Sequence, residues 1–425
     1  MSILNKNIHN KIYYYTFLLL AFFIPIQGNI VAFLIAISFL NWLLEANFVK
    51  KVKKVLHDRK RSFLFLFSIL YFFYLFGLLY SKNLDSGFFD IQMKLSLLIF
   101  PLIFSTLDFS FFDKKKINKI LWAFVLGTLT ISIFCIVNSY FDYLETSMIK
   151  EFYYIQLSDI NLFGLNIISK HPSYFAMFLN FASGIILLQL IENRIKYSLL
   201  IKFLLIITLL FFFVFIFLLS SKAGISSFIL VSCSIIVYLI VYKKKYLISL
   251  IMLVVVPIIF FFSIELFPHS FDRIVTATEI ISNSEEINNN TIDGTAERIL
   301  IWNSALKIIE KNFLFGVGTG DVKDILMKEY KKEHITEAYE QKLNAHNQYL
   351  QTALSIGFFG LMVLLISLLL PFVDSFKNGN FLFIIFLLII SFNFLFESML
   401  ERQSGVVFYA FFNSFLFFSK KDYEG

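Results

Sequence analysis

The chain has 425 residues, of which 58% are hydrophobic and only 16% charged, with a mean hydropathy of +0.76. Those fractions exclude an ordinary soluble domain. The formal charge of +7 sits in short Lys and Arg clusters between apolar runs, which is the pattern of membrane topology and excludes nucleic acid as a partner.

In chain order, apolar runs fall at 12–27, 30–47, 63–80, 91–107, 117–138, 171–191, 198–219, 223–242, 246–267, 347–372, 381–396 and 404–419. A helix needs about 20 apolar residues to cross roughly 30 Å of hydrocarbon while satisfying its own backbone. The expected fold is therefore an all-α integral membrane protein with about twelve transmembrane helices. The first run passes into the second without a small-residue cleavage site, so no cleavable signal is expected. Basic connectors at 50–61, 113–119, 192–196, 242–245 and 419–425 alternate with poorer ones, which places both termini in the cytoplasm. The outer side then carries 81–90, a loop beginning at 139, the turn 220–222 and one large hydrophilic segment. The domain reading is 1–267 for the first nine helices, 268–345 for the large outer loop, and 346–425 for the last three helices with a cytoplasmic tail. Inside the loop, 297–312 is dense enough in apolar residues for a helix lying against the membrane or the bundle. The turn GVGTGD follows at 316–321, and a second charged helical stretch leads back to the membrane.

Ionisable groups at membrane depth are costly, so they are functional candidates by default. His346 and Asn347 open the tenth run. At roughly 100° per residue, His346, Leu350, Ala353, Gly357 and Gly360 share one helix face, and its small residues would let a neighbouring helix pack closely below the histidine. The plainer reading is a His-Asn cap that starts the helix. Lys222 is a lone cation at an outer turn, Lys94 marks the outer end of the fourth run, and Arg298 follows Thr295 near a helix start. The two lysines could also simply snorkel. Converging with His346, the three cations would suit a strongly anionic, membrane-bound ligand such as a lipid pyrophosphate. His171, before Pro172, is a further ligand-facing candidate, and Glu397, Glu401, Arg402 and Gln403 read as a salt-bridged corner. GVGTGD has neither a preceding strand nor a Lys-Ser/Thr ending and reads as a turn. His269 and His334 are isolated, and Cys135 and Cys233 lie within apolar runs, so no metal site is expected.

The stretch HNQYLQTALSIGFFG (346–360) resembles the His-Asn-x9-Gly-x-x-Gly pattern of bacterial O-antigen ligases, and it directly follows the largest outer loop, as in that family. RILIWNSALKIIEKNFLFGVGTG (298–320) is similar to the Arg-x-x-x-Trp segment and glycine-rich turn of the ligase and polymerase superfamily. SSKAGI (220–225) resembles its Ser-Arg-Gly turn, with Lys222 where arginine is commoner, and a lysine supplies a point charge rather than a bidentate fork. HPSYFAMFL (171–179) and MLERQSGVVFYAFFN (399–413) also look like segments of ligase-like members. The resemblance implies transfer of a completed glycan from undecaprenyl pyrophosphate to an acceptor hydroxyl, commonly a lipid A core sugar. The reaction would take place on the periplasmic face of the inner membrane, among membrane lipids, with no nucleotide or metal cofactor. It implies His346 as general base, Arg298, Lys222 and Lys94 around the pyrophosphate, and Asn347, His171 and Trp302 as further contacts. Three alternatives stay open: a polysaccharide polymerase, a protein O-oligosaccharyltransferase, and a transporter or flippase. A polymerase would favour a second arginine-bearing outer loop, whereas 139–169 contains no arginine. A flippase would favour polar groups at mid-membrane.

Overall fold

The computed structural model describes residues 5–26, 28–146, 160–162, 165–167, 172–192, 197–266 and 294–420. Its helices are α1 Lys6–Ile26, α2 Asn29–Glu45, α3 Phe48–His57, α4 Phe63–Leu78, α5 Leu84–Lys94, α6 Ser96–Thr106, α7 Lys114–Thr146, α8 Pro172–Glu192 and α9 Leu199–Leu218. They continue as α10 Lys222–Val241, α11 Tyr246–Leu266, α12 Gly294–Lys311, α13 Val322–Lys332, α14 Thr336–Glu340, α15 Gln348–Lys377, α16 Phe381–Asn393 and α17 Gln403–Ser419. One three-residue antiparallel pair, Ile160–Leu162 with Leu165–Ile167, is the exception to an otherwise helical chain among the described residues.

Helix occurs within every apolar run expected to form one, but fewer of these helices are long enough to cross alone. Among the described residues six helices meet the length and apolarity of a membrane span, or seven if the bent pair α2 and α3 is one span. Of the twelve expected spans, about half thus meet that measure on their own. Length accounts for α4 with 16 residues and α16 with 13, which at 1.5 Å per residue reach only about 24 Å and 20 Å, whereas α1 has 21 residues but begins with the polar run KNIHNK. The bend of 99° between α2 and α3 follows from Ala46 and Asn47, both at positive φ. α8 is the central helix, with most of its residues buried, whereas α9 keeps a long apolar face exposed, as a helix facing lipid does.

The hydrophobic residues form two cores. The larger joins the bundle helices through phenylalanines such as Phe104, Phe124, Phe178, Phe408, Phe411 and Phe412. The smaller is built from Ile301, Ala305, Leu326, Tyr330 and Ala338 of α12, α13 and α14, with Ile335 just before α14, and Leu354 of α15 belongs to it too. The described part of the large hydrophilic segment, 294–345, thus folds around its own core and rests on α15.

The glycine-rich turn locks the two cores together. α15 is broken at Ile356 and Gly357, where φ is −129° and +67°, so its apolar face does not run straight. The carbonyls freed by the break accept from the turn: Val317 N–H donates to Leu354 at 2.7 Å and Gly318 N–H to Ser355 at 3.0 Å. Phe358 N–H donates to the Phe313 carbonyl at 2.8 Å, and Thr319 Oγ1 donates to Tyr74 of α4 at 2.7 Å. The Asp321 carboxylate accepts from the Lys82 and Asn83 amides. A Cβ on Gly357 would lie 2.2 Å from the Leu314 carbonyl oxygen, so the small residue serves this loop and not a neighbouring helix, as the sequence reading had it. Gly357→Ala combines left-handed strain with that clash and is expected to cost about 1–3 kcal/mol or more. Thermal unfolding of the detergent-solubilised protein checks this against Gly294→Ala, a position with nothing within 4 Å of the added carbon.

Candidate active site

The break in α15 fixes where its first turn points, and the residues just before that turn form the site. Asn347 caps α15: its side-chain oxygen accepts from Tyr349 N–H at 2.9 Å and Leu350 N–H at 3.1 Å. The capping role proposed for the His-Asn pair belongs to Asn347, whose oxygen is thereby committed. His346 precedes the helix at φ +43°, so it does not continue the helix face assigned to it from the sequence. Its amide donates to Asn344 Oδ1 at 2.9 Å, and Trp302 Nε1 donates to the Ala345 carbonyl at 3.0 Å. Trp302 therefore ties the histidine's chain segment to α12, one turn beyond Arg298.

Glu397 organises the centre. It lies in the turn between α16 and α17, and its side chain is 5% exposed. Arg298 Nη2 donates to its Oε1 at 2.7 Å, and His346 Nδ1 lies 3.2 Å from its Oε2. A carboxylate accepts, so Nδ1 is the donor in this contact, and the neutral form of such a ring has its lone pair at Nε2. The His346 side chain is 19% exposed, leaving the ring reachable. The Ser173 hydroxyl of α8 lies 3.5 Å from Glu397 Oε1, and Ser221, the cap of α10, donates to Ser173 at 3.3 Å. Close approach of α8 and α10 makes this possible: a Cβ on Gly224 would sit 2.3 Å from the Ala176 methyl. Lys222, the first residue of α10, donates to Thr295 Oγ1 at 2.6 Å at the start of α12. One chain of contacts thus runs from His346 through Glu397 to Arg298 and, through two serines, to the start of α10 and Lys222. Glu297, beside Arg298, has a buried carboxyl oxygen without a partner among the described residues. Burial chiefly holds its pKa above the ordinary range; Glu337 adds to this, while His346 and Arg298 oppose it.

Lys94 belongs to a different network. Its side chain is fully buried, pairs with Asp90 one helical turn earlier and with Glu401 at 2.9 Å, and its Nζ lies 4.6 Å from the centre of the Tyr74 ring. The expectation that Lys94 snorkels or joins the other cations around an anion is thereby corrected: two carboxylates already hold it. The polar corner after α16 is salt-bridged as expected, but to distant partners, Glu397 to Arg298 and Glu401 to Lys94. His171 lies outside the described residues. Among the described residues no group of three or more His, Cys, Asp or Glu side chains could hold a metal ion.

The sequence pointed to His346, Arg298 and Lys222 by their polarity at outer helix ends. It missed the part played by Glu397, Ser173 and Ser221. The only available signal for Glu397 was an acidic residue within an apolar stretch, since its partners stand 51 and 99 residues away in the chain.

Two comparisons bear on this arrangement. A Haemophilus influenzae protein described as uncharacterized is 29% identical over 142 residues, covering 31% of this chain and 35% of that protein. The aligned segment thus spans about a third of the relative's length. The family model described as O-antigen ligase matches residues 207–365. That span contains Lys222, Arg298, Trp302, His346 and Asn347, and over it the chain is O-antigen ligase-like.

Proposed function

We propose that the protein is a ligase-type glycosyltransferase that moves a glycan from undecaprenyl pyrophosphate to an acceptor hydroxyl, a lipid A core sugar being the leading acceptor. In this reading the chain crosses the inner membrane about twelve times, the shorter helices included, with both termini in the cytoplasm and the site on the periplasmic face. The observation that carries it is the bridge made by Glu397 between His346 and Arg298, which puts a base and a cation at one spot. His346 Nε2 takes the acceptor proton as the hydroxyl oxygen attacks the anomeric carbon. The bond from that carbon to the pyrophosphate oxygen breaks, and the leaving group departs with the electron pair. Arg298 and Lys222 stabilise the charge that grows there. A single displacement of this kind inverts the anomeric centre. Glu397 holds the imidazole in one orientation and supports the positive charge it acquires, as a carboxylate does for a histidine base in other enzymes.

Deleting the chromosomal copy and restoring it on a plasmid tests the reading. Loss of lipid A-linked glycan with accumulation of long lipid-linked chains is the expected phenotype. Accumulation of single lipid-linked units, with no long chains, would replace the ligase by a polymerase.

A further inference from the structure

A cleft of about 560 Å³ opens between α5, α13, residues 342–344 and the start of α17, with Tyr174 and Asn344 in its lining. Its size falls within the range of small-ligand sites. It adjoins the reacting centre: Asn344 accepts the His346 amide proton, and Tyr174 follows Ser173 and donates to the Ser398 carbonyl at 3.2 Å.

The charge of this cleft is one-sided. Its acidic groups, Asp90 and Glu401, are both paired with the buried Lys94. Its basic groups, Lys323, Lys342 and Arg402, are exposed, and none has a salt-bridge partner among the described residues. With Lys94 cancelling one of the two acids, the lining carries an excess of about two positive charges over a wall that also offers amides and aromatic rings. Gln351, only 4% exposed, accepts from the Ala345 N–H through its side-chain oxygen at 3.2 Å. Its amide nitrogen has no acceptor among the described residues, and the residue lines the cleft. Phe89, 68% exposed, supplies an apolar ring face against which a sugar can pack.

We propose that this cleft binds a negatively charged sugar unit, phosphorylated or carboxylated, belonging to the donor glycan or the acceptor. What the bound sugar is for rests on the transferase reading above; what the cleft selects rests on its own lining. A ligand seated here extends from the reacting centre past Asn344 and Tyr174, so the cations select charge at a distance from the bond that breaks.

Full-length protein in lipid nanodiscs is titrated with three fluorescent tetrasaccharides: hyaluronan tetrasaccharide, maltotetraose phosphate and neutral maltotetraose. At least one anionic probe is expected to bind roughly tenfold or more tightly than maltotetraose, the gain expected of a charge-assisted contact. Added salt should erode that preference, because the three cations face solvent. Which anionic probe gains separates the carboxylated from the phosphorylated source. Lys323→Gln, Lys342→Gln and Arg402→Gln together are expected to abolish the preference, while Lys323→Arg, Lys342→Arg and Arg402→Lys together keep it. Equal affinity for all three probes overturns the proposal. So does a preference that survives the glutamine triple, vanishes in both triples, or disappears instead in Arg298→Gln with Lys222→Gln. Binding is also read in His346→Ala: a retained preference alongside lost transfer supports both readings. Transfer intact in that variant ends the role of His346 as base, transfer absent from the wild-type protein overturns the transferase reading, and either result leaves the binding measurement to decide the cleft.

Discussion

Replacing His346 with alanine is expected to lower the rate of glycan transfer by roughly 10²- to 10⁴-fold, the usual contribution of a positioned acid or base, with little change in membrane insertion. The ring is not part of the structural cap, because Asn347 performs that task with its own side chain. Nor does the ring lie in a hydrophobic core; it reaches the Glu397 carboxylate and remains partly exposed. A structural histidine would give a variant that unfolds more easily, whereas a base gives a variant that folds and does not turn over. Two measurements separate these cases. The thermal midpoint in detergent should stay near the wild-type value, and millimolar imidazole should restore part of the rate by supplying the missing base. Glu397→Gln sharpens the test, since it keeps the shape of the side chain and removes the charge shared by Arg298 and His346. As a positioning residue, Glu397 should lower the rate without being replaceable by added imidazole. A His346→Ala protein that transfers glycan at the full rate would end the case for a base at this position.

The same residues show what could be read before any coordinates. Apolar runs located the helices because a bilayer leaves a buried backbone few alternatives, and the cations and histidine stood out because they interrupt that pattern. The kink of α15 was not legible, since a face drawn at 100° per residue assumes regular dihedrals and Gly357 departs from them at φ +67°. Consequently the stripe beneath His346 was misassigned: Gly357 receives the turn at Leu314 and Phe315, and Gly360 faces the Ile356 side chain of its own helix. Pairing was equally hidden. Nothing along the chain says that Arg298 meets Glu397 while Lys94 meets Glu401, because both acids sit in one short polar corner. Charge and position along the helix marked Lys94 as unusual but could not tell a ligand-binding cation from one already satisfied.

Lys94→Met should therefore act on stability before chemistry. The lysine is fully buried between Asp90 and Glu401, and removing one member of such a group leaves the others charged without compensation. The expected loss is about 3–5 kcal/mol, typical of breaking a buried pair from one side. In practice this would appear as a lower thermal midpoint and reduced yield of folded protein. Neutralising the acids at the same time, as Asp90→Asn with Glu401→Gln, should restore part of the loss, since no unpaired charge then remains. Had Lys94 been held for a substrate anion instead, the single variant would keep its midpoint and raise the donor KM alone. The two outcomes differ also at the cleft, whose wall contains both carboxylates. Without Lys94 that wall turns more negative, so anionic tetrasaccharides should bind more weakly to whatever fraction of the variant folds. Stability and ligand preference are thus coupled through one buried ammonium group.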